Sequence, residues 1–251
     1  MRNLKLTIEY DGTNYCGWQS QKNGVAIQDV LEGVLARITG ERIRVVGSGR
    51  TDAGVHAIGQ VAHVHLSSPL PVKNILKGMN SLLPWDIAIK KIEEVDESFH
   101  ARYDATSKVY LYRICNQSTR SPLEYRYSWM LSRPLKIEAM AEALGFVRGT
   151  HDFTSFSAAE TGVKGRERTV KRATIDVKLS GVIELEMEAN GFLRHMVRAI
   201  VGTLVEVGKG KLNPSCMEEI LLARNRSLAG PTAPPQGLFL KEVKYGKGGG
   251  E

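Results

Sequence analysis

The chain has 251 residues, 42% hydrophobic and 24% charged, an ordinary globular mix at a length that suits one large domain or two modest ones. Three widely separated cysteines exclude a disulfide framework or a Cys-x-x-Cys knuckle. No run reaches the ~20 apolar residues of a membrane helix, and the N-terminus lacks the apolar stretch of a secretory signal, so the expected compartment is the reducing cytoplasm.

The first elements follow from periodicity. Leu4, Leu6, Ile8 and Tyr10 alternate with polar residues, as in a half-buried strand. A polar, Gly-rich loop covers 11–24. Ile27, Val30, Leu31, Val34, Leu35 and Ile38 recur at helical spacing up to Gly40. Strands are predicted at Ile43–Val46 and over 58–66. A helix through Val72, Ile75, Leu76 and Met79 ends before Pro84, and a strand follows at Ile87–Val95. The order is β-α-β-β-α-β.

That order then repeats. A strand is predicted over 107–115, and a helix through Ile137, Met140, Ala141, Leu144 and Val147. Val170–Leu179 and Val182–Ala189 read as a hairpin turned at Ser180-Gly181. A long apolar helix is predicted over 192–207, a short one from Asn213-Pro214, and a last strand over Gly237–Tyr245. The expected fold is therefore α+β, two ferredoxin-like halves at 1–105 and 106–245. The halves would form a mixed, mainly antiparallel sheet with helices packed on one face. The Gly-rich residues 246–251 are expected to be a disordered tail.

The densest chemistry lies in Gly47-Ser48-Gly49-Arg50-Thr51-Asp52-Ala53-Gly54-Val55-His56-Ala57. A guanidinium near Asp52 would hold the carboxylate ionised, ready to act as nucleophile or base. An ordinary surface ion pair satisfies the same residues.

Gly49 to Ala57 resembles the signature of the TruA family of tRNA pseudouridine synthases. Other segments resemble that family in the same order. They are Glu9-Tyr10-Asp11-Gly12 with Tyr15-Cys16-Gly17-Trp18-Gln19, Phe99-His100-Ala101-Arg102 with Lys108-Val109-Tyr110, His151-Asp152-Phe153-Thr154-Ser155-Phe156, His195-Met196-Val197-Arg198, and Gly237-Leu238-Phe239-Leu240. The resemblance implies an isomerase that converts uridine to pseudouridine in the anticodon stem-loop of tRNA, at positions 38, 39 and 40. It implies a homodimer with no cofactor and no catalytic metal, and an RNA-binding cleft on the sheet face away from the helices. It makes Asp52 the catalytic residue, stacks Tyr110 on the target base, has Arg50 help extrude that base, and pairs Arg198 with Asp52.

These roles meet physical alternatives. The target atom is hidden in a stem, so the nucleotide must flip out at a cost of a few kcal/mol. Tyr110, sharing a strand face with Lys108 and Tyr112, could stack on it, or could be one of a cross-strand aromatic pair. Arg198, four residues beyond Arg194 in the apolar helix, should meet an acid or snorkel to solvent. The basic run 164–172 (Lys164, Arg166, Arg168, Lys171, Arg172) suits RNA or a solvated face. Residues 102–127 interleave Arg102, Lys108, Arg113, Arg120 and Arg126 with five of the eight tyrosines, which suits looped RNA. A zinc site from His56, His63, His65 and Asp52 is one reading of these residue types and is disfavoured, because His63 and His65 also fit one sheet face and the resembled family uses no metal. A passive RNA-binding module is the other rival reading.

Overall fold

The computed structural model describes residues 1–158 and 165–246. Among these it forms ten β-strands and five α-helices, with strand pairings mostly antiparallel. Two compact units result: Met1–Thr106 together with the chain from Phe239, and Ser107–Leu238. Lys164 and the tail residues 247–251 lie outside the described residues.

The first unit runs β1 (Arg2–Tyr10), α1 (Ile27–Thr39), β2 (Val46–Gly47), β3 (His56–Leu66), α2 (Val72–Leu82) and β4 (Ile87–Val95), the predicted order. β1 lies between β4 and β3, antiparallel to both. Leu4, Leu6 and Ile8 face Val64, Ala62 and Gln60 across the ladder, and all six are fully or almost fully buried. α1 and α2 contribute Ile27, Leu31, Leu35, Ile75 and Met79 to the same core, each with no exposed surface. Each such large apolar side chain is worth ~1.5–3 kcal/mol of burial. Lys5 and His63 pair on the opposite face, as do Asn3 and His65.

The strand predicted at Ile43–Val46 is displaced to β2. Ile43 and Val45 are buried as an alternating pattern requires, but Val45 makes no ladder. Its N–H donates to Glu32 Oε1 (2.9 Å) and its carbonyl accepts from Gln28 Nε2 (3.0 Å), so side chains of α1 take the place of a strand partner. β2 then pairs with β3 at His63 and Ala62.

The second unit contains most of β5 (Ala105–Asn116), then β6 (Trp129–Leu131), α3 (Ile137–Gly145), β7 (Gly149–Asp152), β8 (Glu167–Val177), β9 (Val182–Ala189), α4 (Met196–Gly208) and α5 (Cys216–Ala223). β5, β9, β8 and β7 are antiparallel neighbours in that order. The hairpin turns where predicted, with the Gly181 N–H donating to the Lys178 carbonyl. Two short strands, β6 and β7, carried no periodic signal. β10 (Leu238–Tyr245), predicted to end the second half, instead packs with the first unit, where Phe239 and Leu240 pair in parallel with His56 and Ala57.

The helix predicted over 192–207 begins only at Met196. His195 sits at φ 65°, in the left-handed region, and a non-glycine residue there ends helical periodicity. Arg194 is therefore off the helix and does not share a helical face with Arg198.

Candidate active site

In the first unit the loop between β2 and β3 is fixed by its neighbours. Ser48 is fully buried. Its N–H donates to the Val61 carbonyl (2.7 Å), and its hydroxyl donates to Gln60 Oε1 (2.8 Å). Gln60 Nε2 in turn donates to the Gly49 carbonyl (2.9 Å). Thr51 is held by a 2.8 Å hydrogen bond between its hydroxyl and that of Tyr10, and its carbonyl accepts the Trp18 N–H (3.1 Å). Burial pushes the Tyr10 phenol well above its ordinary pKa, so it stays protonated. The Val55 N–H closes the turn onto the Asp52 carbonyl (3.1 Å).

These anchors use the residues on either side of Arg50 and Asp52. Arg50 is exposed and Asp52 half-buried. A segment holding Gly17 and Trp18 makes the arrangement possible. A Cβ on Gly17 would stand 2.4 Å from the Thr51 carbonyl oxygen, and Gly17 has φ +92°, so only glycine allows this approach. The same segment's carbonyls, from Gly17 and Trp18, accept the Ile27 and Gln28 N–H groups (3.1 Å each) that open α1. Helix, loop and strand thus converge on Gly49–Val55.

Sequence reasoning missed Gln60 and Gln28 as anchors. A signal existed for both. Each is a polar residue on an otherwise apolar stripe, Gln60 beside Ala62, Val64 and Leu66, and Gln28 beside Ile27, Leu31 and Leu35. Gln60 is fully buried and Gln28 nearly so, and a buried amide demands partners.

Tyr110 and Arg198 belong to the second unit. Tyr110 lies opposite Met187 in the β5–β9 ladder and is 8% exposed, and its ring meets Phe192 edge-on at 4.9 Å. Val109 and Leu111, on the other face, are buried as well, so β5 is covered on both faces there. Arg198 is half-buried. Its Nε donates to the Ala233 carbonyl (2.7 Å), and the Ala233 N–H returns to the Arg198 carbonyl (3.0 Å). One turn along α4, Gly202 lets the 230–234 segment lie on the helix, since a Cβ there would be 1.6 Å from the Pro231 carbonyl oxygen. Arg198 also acts on the buried Tyr112, whose phenol is raised by burial and drawn partly back by the guanidinium. Tyr112 donates its hydroxyl to the Pro234 carbonyl (2.8 Å).

The basic run is largely engaged with its own chain. Arg172 pairs with Glu186 and, at 4.0 Å, with Glu188. Arg166 donates to the Ser157 hydroxyl (2.9 Å), and Arg168 donates to the Gly165 carbonyl (3.4 Å). In the tyrosine-rich stretch Arg113 is paired with Glu124 and Glu184 (3.3 and 3.6 Å). Arg102 and Arg126 instead lie over the exposed rings of Tyr103 and Tyr125 (5.7 and 5.5 Å).

The histidines weighed as metal ligands are occupied otherwise. His63 Nδ1 accepts the Ala101 N–H (3.1 Å). That bond leaves the neutral ring's proton on Nε2, so the ring has no lone pair to offer a metal. His56 stacks on Phe239 at 4.8 Å, and its Nδ1 accepts the Gly12 N–H (3.1 Å) with Asp11 Oδ1 also at 3.0 Å. His65 Nε2 donates to the Glu97 carbonyl (3.2 Å). No helix among the described residues is long and apolar enough to cross a membrane.

A family model described as tRNA pseudouridine synthase matches residues 6–104 and 146–246. The match spans the Asp52 loop and α4 but not Tyr110. Curated relatives named tRNA pseudouridine synthase A extend the likeness over nearly the whole chain. The protein of Thermoanaerobacter sp. (strain X514) is 45% identical over 98% of this chain and 100% of its own length. That of Myxococcus xanthus is 46% identical over 99% and 94%, and that of Geotalea daltonii is 47% identical over 98% and 100%.

Proposed function

The chain belongs to the TruA family of tRNA pseudouridine synthases, and we propose that it isomerises uridine to pseudouridine in the anticodon stem-loop of tRNA, at positions 38, 39 and 40. The observation that carries this reading is the Gly47–Ala57 loop, whose backbone is clamped at Ser48, Gly49 and Thr51 while Arg50 and Asp52 lie nearer solvent.

The chemistry needs no more than such a loop provides. The N1–C1′ bond breaks, the base turns in place, C5 bonds to C1′, the hydrogen on C5 leaves as a proton, and N1 gains one. No electrons are exchanged with a second reactant and no group is donated. One carboxylate can start the sequence, by attacking the base or by assisting its departure from C1′. We assign that role to Asp52. Arg50 is assigned to extrusion of the target nucleotide, Tyr110 to stacking on it, and Arg198 to pairing with Asp52. The protein would work as two ferredoxin-like halves presenting an RNA-binding cleft, as a homodimer and without a cofactor.

Purified protein and an unmodified tRNA transcript, incubated with chelator, test the reading. Pseudouridine should appear at the three anticodon-stem positions. Tight RNA binding with no pseudouridine would instead make the chain a passive RNA-binding module. Activity lost to the chelator and restored by added zinc would revive a metal-dependent enzyme.

A further inference from the structure

A continuous chain of side-chain hydrogen bonds runs from the buried start of α1 to the guanidinium of Arg50. Gln28, 2% exposed, is its fixed point. Its Nε2 donates to the Val45 carbonyl (3.0 Å) and to Glu32 Oε1 (2.8 Å), and its Oε1 accepts the Ser20 N–H (3.0 Å) and Gln19 Nε2 (2.7 Å). A backbone carbonyl can only accept and a backbone N–H can only donate, so the orientation of the Gln28 amide is not free. Gln19 must then give its NH2 to Gln28. Its oxygen is left facing Arg50, and it accepts the Arg50 Nε–H at 3.2 Å. A flipped Gln19 would set two acceptors against each other at Gln28 and two donors at Arg50.

We propose that Gln19, oriented by Gln28, is a positioning residue that aims the Arg50 guanidinium at the flipping nucleotide. The tether uses Nε alone, so the four N–H groups on Nη1 and Nη2 remain for a base or phosphate. An exposed arginine otherwise samples many rotamers, and each must be given up when RNA arrives. Holding Nε in advance removes part of that loss at the step where the base leaves its stack. Neither glutamine touches the reacting atoms in this assignment. Both act through Arg50, so the inference rests on the assignment of Arg50 to nucleotide extrusion.

The test is a double-mutant cycle on pseudouridine formation in a tRNA transcript, using Gln19→Leu, Arg50→Met and the double variant, with thermal melting of each. Gln19→Leu should lower kcat/KM roughly ten-fold, the scale of one hydrogen bond to a charged group, with melting unchanged. Arg50→Met should lower it further. The double variant should match Arg50→Met alone, because a tether has nothing to hold once the arginine is gone. A ten-fold loss that persists on the Arg50→Met background overturns the tether, since a purely structural role for Gln19 would carry over. So does a silent Gln19→Leu beside an impaired Arg50→Met. Full activity of Arg50→Met would defeat the assignment of Arg50 itself, an outcome distinct from both.

Discussion

The loop that carries Asp52 and the strand that carries Tyr110 hold their side chains in opposite ways. The loop has no repeating ladder. Gln60 of β3 and the Trp18 N–H hold its backbone, and Tyr10 of β1 holds the Thr51 hydroxyl, while Asp52 keeps part of its surface open. Tyr110 sits in a regular antiparallel ladder with little of its ring exposed. A carboxylate that must reach a reacting atom gains from irregular backbone on a firm base, because only there can neighbouring residues be buried while one stays accessible. A ring in a ladder is already packed, against Phe192 here, and can offer a base only the surface its neighbours leave. On the proposed reading, chemistry falls to the loop and reception of the base to the strand.

The largest expected effect is at Asp52. Asp52→Asn keeps the shape and removes the charge, so tritium release from tRNA labelled at C5 of uridine should vanish while filter binding of the same RNA persists. Turnover near the wild-type level would remove Asp52 from the chemistry. Next comes Arg198. Arg198→Met should cut activity strongly and more than Arg194→Met, since Arg194 lies before the left-handed His195 and off the helix. The Arg198 variant should also melt earlier, by roughly 1.5–3 kcal/mol of stability, because the Ala233 carbonyl loses a charged donor. Equal kinetics for the two variants would contradict the assignment.

Tyr110 should give a smaller effect, and on affinity. Tyr110→Leu should weaken RNA binding by ~1–3 kcal/mol, while Tyr110→Phe should keep both binding and rate. A normally binding but slow Phe variant would place the hydroxyl in proton transfer at C5 instead. If neither substitution changes binding or rate, the ring is a sheet residue only.

The smallest effect concerns stability away from the loop. Burial, with His100 and His65 beside it, pushes His63 down to about 4, and Asp104 pulls the other way. An unfolded histidine titrates near 6.5. Between those values the unfolded chain takes up a proton that the folded chain refuses, so the stability is complete above about pH 6.5 and is lost as pH falls towards 4. His63→Asn should flatten the melting temperature across that window. Parallel melting curves for variant and parent would show that His63 does not set the acid limb.

Much of this was legible in the sequence where one physical rule decides a position. Alternation marked β1, and helical spacing with Gly40 marked α1, because burial on one face leaves a period. The resemblance of Gly49–Ala57 pointed to the loop. What escaped depended on contacts between residues distant in sequence. Val45 leaves the ladder because Gln28 and Glu32 take its backbone groups. α4 starts late because His195 adopts a conformation that no composition rule assigns to histidine. β10 joins the first unit through a parallel pairing with β3, and no pattern within residues 237–245 reports which neighbour they choose. The partners of charged residues escaped in a similar way. The run at 164–172 suits an RNA contact or a solvated face, and Arg172 is met by two glutamates of β9, a pairing that the β8–β9 register sets and the run itself does not report.

The division of labour between loop and strand is tested most directly by single-turnover measurement of Asp52→Asn and Tyr110→Leu side by side, at RNA concentrations that saturate each. The account predicts no pseudouridine from Asp52→Asn at any RNA concentration. It predicts a Tyr110→Leu rate that returns towards the parent's once binding is saturated. A Tyr110→Leu rate that stays low at saturation, or product from Asp52→Asn at a rate near the parent's, would contradict it.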